Sequence, residues 1–195
     1  ENGGTVSTKV RLKSAPLSPV TITLNSSDTQ EGTVSPTVLT FNKDNWDSYV
    51  SIIVTGVDDD IADGSQSYEI QIASIVSDDS KYSALNGQIN PIKLQNEDDE
   101  IKAIVLGSLS GDTTEAGGNA TFSVKLASKP IEAVSIPIIS TDTSEGTVSV
   151  SSLSFDNSNY NTVQTVTVNG EDDDERDGNI AYQVKIGPTS SNSLT

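Results

Sequence analysis

The residues best placed to do chemistry in this chain are two aspartate clusters. The first is Asp58, Asp59, Asp60 and Asp63, within Gly56-Val57-Asp58-Asp59-Asp60-Ile61-Ala62-Asp63-Gly64, and the second is Asp172, Asp173, Asp174 and Asp177, within Gly170-Glu171-Asp172-Asp173-Asp174-Glu175-Arg176-Asp177-Gly178. Four carboxylates within six residues repel one another, so their recurrence suggests that a positive charge sits among them. The recurrence is part of a larger one. Residues Glu1 to Ala73 align with Glu115 to Gly187 at a constant offset of 114 and without a gap. The chain is an internal repeat, and each copy carries one acidic loop at the same place.

Other chemistries are restricted by composition. The chain has neither histidine nor cysteine, which excludes a Ser-His-Asp triad, histidine general bases, thiolate chemistry, disulfides and most zinc or copper sites. A net charge of −17 repels phosphate backbones and anionic membranes, so nucleic acid is not an expected partner and cations or basic partners are. No apolar run is long enough to cross a bilayer, so direct membrane insertion is not expected. There is no methionine and no signal peptide, and each copy lacks one end present in the other. The expectation is an interior piece of a longer protein.

The elements that must position the acids read as β-strands. The segments Val10-Arg11-Leu12, Val20 to Leu24, Ser51 to Val54 and Tyr68 to Ile72 are short and β-branched, and most alternate apolar with polar residues. The second copy keeps the phase with Phe122, Val124 and Leu126, then Val134, Ile136 and Ile138, then Val166 and Val168, then Tyr182, Val184 and Ile186. Turn signals such as Ala15-Pro16, Glu31-Gly32, Asp63-Gly64 and Asn86-Gly87 fall at the spacing of about 8–12 residues expected of a sandwich. No segment sustains a helical period. The pattern predicts an all-β chain of two tandem immunoglobulin-like antiparallel β-sandwiches. The first copy spans 1–100 and lacks a first-strand lead-in; the second spans 101–195 and lacks its last strand and closing acidic run. Phe41 and Phe155, with Trp46 and Tyr160, are expected to pack rather than to form a stacking platform.

The acidic loops do not match the common calcium motifs. With Gly64 at the sixth position of an EF-hand loop, Ile61 falls where an oxygen ligand is required; in the second copy Val184 stands where the closing glutamate belongs. What remains is a dense set of hard oxygen donors gathered by the fold. Calcium accepts six to eight such oxygens in irregular geometry, whereas magnesium keeps its waters, so calcium is the expected ion.

Several motifs together resemble the Calx-β domain: Glu1-Asn2-Gly3-Gly4-Thr5-Val6, Gly32-Thr33-Val34, Leu39-Thr40-Phe41, the loop from Asp58 to Gly64, and Asp98-Asp99-Glu100. The Asn45-Trp46 pair and the run Val54-Thr55-Gly56-Val57-Asp58-Asp59-Asp60 are most similar to tandem repeats of bacterial surface proteins. The resemblance implies metal ligands at Glu1, Glu31, Asp58, Asp59, Asp60, Ile61 through its carbonyl, Asp63, Asp98, Asp99 and Glu100. In the second copy it implies Glu115, Glu145, Asp172, Asp173, Asp174, Glu175 through its carbonyl, and Asp177. Gln66 stands where the family's exchangers carry a further glutamate, which would weaken a site using it. Solvated turns are the competing reading, but nine carboxylates converging from four chain segments would be costly without a counter-charge.

The resemblance implies a calcium-binding module of a secreted or cell-surface protein, of bacterial origin, acting as a calcium-rigidified structural or adhesive repeat. Its partners would be calcium ions, neighbouring repeats and a protein or surface ligand. Two alternatives are a calcium-sensing regulatory pair of a membrane transporter and a non-catalytic accessory region of an extracellular enzyme. The chain itself offers no catalytic set, because its carboxylates cluster in turns and do not face each other across a cleft.

Overall fold

A computed structural model describes residues 1–172 and 178–187. By its internal contacts the chain divides into two units, Glu1–Asp59 with Asp63–Asp99, and Asp60–Ala62 with Glu100–Thr195. Both are antiparallel β-sandwiches. Among the described residues, no helix is long and apolar enough to cross a membrane.

The first unit contains β1 (Thr5–Val10), β2 (Val20–Ser26), β3 (Gly32–Ser35), β4 (Val38–Phe41), β5 (Val50–Gly56), β6 (Gln66–Val76) and β7 (Ile92–Asn96). They form a three-stranded sheet in the order β1-β5-β3 and a four-stranded sheet in the order β4-β2-β6-β7. Alternation explains the packing. Val20, Ile22 and Leu24 of β2 are buried while Thr21 and Thr23 between them are only half-buried, because successive side chains of a strand point to opposite faces. Ile52 and Val54 of the first sheet meet Leu39, Phe41 and Ile70 of the second in one core, with Trp46 packed at its margin.

The second unit contains β8 (Ile104–Leu106), β9 (Asn119–Leu126), β10 (Val134–Ser140), β11 (Gly146–Val148), β12 (Ser152–Phe155), β13 (Gln164–Gly170) and β14 (Val184–Ile186). Its sheets run β11-β13-β9-β8 and β12-β10-β14. Val124, Leu126 and Val166 of one sheet pack on Val134, Ile136, Ile138 and Phe155 of the other, with Tyr160 alongside. The repeat extends to single hydrogen bonds. Leu12 N–H donates to the Trp46 carbonyl at 2.8 Å and Leu126 N–H to the Tyr160 carbonyl at 2.8 Å.

One sequence expectation is corrected. The first strand is Thr5–Val10, not Val10 to Leu12, because beyond Val10 the chain leaves β5 and Leu12 bonds instead to the Trp46 loop. A single helical turn, α1 (Ser80–Ser83), also forms. It is set by its N-cap: the buried carboxylate of Asp79 accepts from Lys81 N–H at 3.1 Å and from Leu17 N–H at 2.9 Å, tying the turn to the β1–β2 connection. A one-turn helix has no periodicity to read.

The two copies differ at their edges. In the second unit β8 pairs with β9, and Val124 and Leu126 of β9 are buried. In the first unit, among the described residues, β1 has only β5 as a neighbour, and Val6 is 54% exposed. Conversely β7 pairs with β6 in the first unit, where Tyr68 and Ile70 are buried, while Tyr182, Val184 and Ile186 in the second keep the expected phase but are only half-buried.

Candidate metal centre

The predicted ligands of the first copy sit at strand ends. Glu1 precedes β1, Glu31 ends the turn into β3, Asp58 to Asp63 form the β5–β6 loop, and Asp98, Asp99 and Glu100 follow β7. Strand pairing brings these ends together: Thr5 faces Thr55, Gly32 faces Gly56, and Gln66 faces Asn96. Val57 N–H then donates to the Glu31 carbonyl at 3.0 Å, and Gly56 N–H to the Gly4 carbonyl at 2.9 Å. The Asp98 carboxylate accepts from Gly64 N–H, where the chain turns with a φ of 85° that a glycine adopts without strain.

Four of the ten predicted ligands are drawn into two close pairs. Carboxylate oxygens of Glu1 and Asp98 lie within 4.8 Å of each other, as do those of Asp58 and Asp99. Glu100 falls in the second unit. Glu31 is half-buried and Asp59 is close enough to perturb Glu1, but the carboxylates of Asp60 and Asp63 join neither pair. The donor set consists of hard carboxylate oxygens. Oxygens on opposite sides of a calcium ion, each about 2.4 Å from it, lie about 4.8 Å apart, so either pair can share one ion.

Glu1 tests whether a cation fits. Its side chain is only 2% exposed, and its Oε2 is buried with no hydrogen-bond partner. A carboxylate oxygen in that state is costly unless a cation completes its coordination. Burial pushes the Glu1 carboxyl up to about 7, helped by the negative charges of Asp59, Glu31 and Asp98, while the nearby α-amino group pulls the other way. That amino group stands 3.5 Å from Asp99 Oδ1. The residues present fit a hard divalent cation.

A pH dependence follows. Because the folded-state pKa of Glu1 lies above its unfolded value, the folded protein holds this proton more tightly; the associated stability is complete below the unfolded value and is lost as pH rises through about 7. In chelator, the urea midpoint of the N-acetylated chain is expected to fall between pH 6 and 8, and a saturating cation should flatten that fall. A midpoint rising across this window in chelator would contradict the assignment.

In the second unit the same scaffold recurs without the same convergence. Glu171 N–H donates to the Glu145 carbonyl at 3.0 Å and Gly170 N–H to the Gly118 carbonyl at 3.1 Å, matching the first copy bond for bond. Glu115 and Asp172 are exposed and Glu145 is half-buried. Among the described residues, no three acidic groups of this unit come within ligand distance of one another. Asp173, Asp174, Glu175 and Asp177 lie outside the described residues.

Sequence reasoning missed Asn96, which is 5% exposed at the end of β7. Its signal was available: Ile92, Leu94 and Asn96 occupy one face of the strand, and an amide in the third position breaks the apolar series.

No family model and no curated protein matches the chain. Among solved structures it is similar to the crystal structure of CBD12 from CALX1.2, at 12% identity and a TM-score of 0.39, over 97% of this chain and 77% of that one. At that distance residues cannot be matched between the two. The fold and the acidic groups define an all-β sandwich pair with a potential metal centre at the tip of the first unit.

Proposed function

We propose that the chain is a calcium-binding β-sandwich module whose principal site is at the tip of the first unit, held by Glu1, Asp58, Asp98 and Asp99. The observation that carries this reading is the buried Glu1 Oε2, without a hydrogen-bond partner beside the Asp98 carboxylate. Calcium suits the set better than magnesium, which holds oxygens at about 2.0–2.1 Å in strict octahedra and retains its waters. The ion would neutralise carboxylates from the chain start, the β5–β6 loop and the β7 end, fastening three segments at once. A non-catalytic structural or adhesive repeat of a secreted or cell-surface protein, stiffened by calcium, is the role this chemistry supports.

Calorimetric titration tests the reading. The native chain is expected to bind calcium with a dissociation constant on the order of 10⁻⁴ to 10⁻³ M, the range of extracellular modules. Asp98→Asn and Asp99→Asn each remove one unit of ligand charge with little change of shape and should weaken binding roughly tenfold, about 1.4 kcal/mol. Asp172→Asn should leave this site unchanged. Absence of a saturable calcium signal in the native chain would overturn the proposal, and a larger loss for Asp172→Asn would move the site to the second unit.

A further inference from the structure

We propose that Asn96 is the positioning residue of the calcium site, holding Glu31 and the β5–β6 loop against the end of β7; this rests on the calcium reading above. Asn96 Nδ2 donates to the Val57 carbonyl at 2.7 Å and to Glu31 Oε2 at 3.2 Å. One amide thus spends both hydrogens on two acid-bearing segments from a third, since Val57 adjoins Asp58 and Asn96 is followed by Glu97, Asp98, Asp99 and Glu100. The amide's orientation is set by chemistry. Turned over, its Oδ1 would face a carbonyl and a carboxylate, both acceptors.

The backbone is built to admit this side chain. A Cβ on Gly56 would lie 2.6 Å from Asn96 Oδ1, so only glycine leaves room for the amide where β5 ends. The backbone beside Glu31 is equally crowded. A Cβ on the neighbouring Gly32 would lie 2.3 Å from the Tyr68 ring, and the charge of Glu31, after burial, raises the Tyr68 pKa. With Oε2 engaged by Asn96, Glu31 is fixed in place beside Glu1, whose carboxyl its charge perturbs.

The amide is therefore required where another carboxylate would be isosteric. If the acidic residues bound calcium by charge alone, Asn96→Asp would tighten binding. If Asn96 positions the site, Asn96→Asp sets a carboxylate against Glu31 and the Val57 carbonyl and should weaken binding at least tenfold, as should Asn96→Ala. Gly56→Ala should produce the same loss with Asn96 intact, and the Gly56→Ala/Asn96→Ala double variant should be no worse than Asn96→Ala, because the clash has gone. The readout is the calcium dissociation constant by calorimetry at a temperature where each variant is folded by circular dichroism, together with melting midpoints in calcium and in chelator. A purely structural role would lower both midpoints equally and leave the dissociation constant alone. That result, an Asn96→Asp chain binding as tightly as native, or additive losses in the double variant would each overturn the proposal. Lack of calcium binding by the native chain would instead remove the reading on which it rests.

Discussion

Calcium at a hundredfold excess over its dissociation constant is expected to stabilise the first unit by about 2.7 kcal/mol, because a ligand that binds only the folded state contributes RT ln(1 + [L]/Kd). For a domain of roughly 60–100 residues each kcal/mol moves the melting midpoint by about 4–8 °C, so a shift on the order of 10–20 °C should be visible by calorimetry. Only one transition should respond fully. The two hydrophobic cores are separate, and the close carboxylate pairs Glu1–Asp98 and Asp58–Asp99 both belong to the first unit. Equal melting curves in millimolar calcium and in chelator would sink the metal assignment. An equal response to magnesium would point to charge screening of a chain carrying −17 net charge.

Phe41→Ala should have the larger effect in the opposite direction. Phe41 is fully buried where β4 pairs with β2, within a core that includes Val20, Leu39, Ile52 and Ile70. Truncating a core phenylalanine costs about 3–5 kcal/mol, the lost transfer energy plus the cavity left behind. Against a typical domain stability of about 5–15 kcal/mol, that leaves the first unit marginal. Saturating calcium would return about 2.7 kcal/mol and should restore much, not all, of the lost midpoint. Phe155→Ala, at the equivalent position, should destabilise the second unit similarly and gain far less from calcium. Urea denaturation of both variants, with and without calcium, checks the pair. A cost under about 1 kcal/mol for Phe41→Ala would mean that the site collapses around the missing ring.

The all-β class, the phase of the main strands and the repeat were legible in the chain. Val20, Ile22 and Leu24, and Val134, Ile136 and Ile138, alternate with polar residues, and that period of two follows from extended backbone geometry whatever surrounds it. The clustering of aspartates at strand ends was equally plain, since it is a matter of neighbours in sequence. Other features depended on contacts between distant segments. The end of the first strand at Val10 is set by the Leu12–Trp46 bond, and α1 exists because Asp79 finds both Lys81 and Leu17. Charge density alone could not show which acids converge, because Asp58 and Asp60 are alike by composition but only Asp58 joins a close pair. Register decides that: pairing Gln66 with Asn96 and Gly32 with Gly56 sets the end of β7, the Glu31 turn and the start of the β5–β6 loop side by side. It also buries Asn96 between them, a residue whose type suggests a surface turn and whose two hydrogen bonds exist only once three strand ends have met.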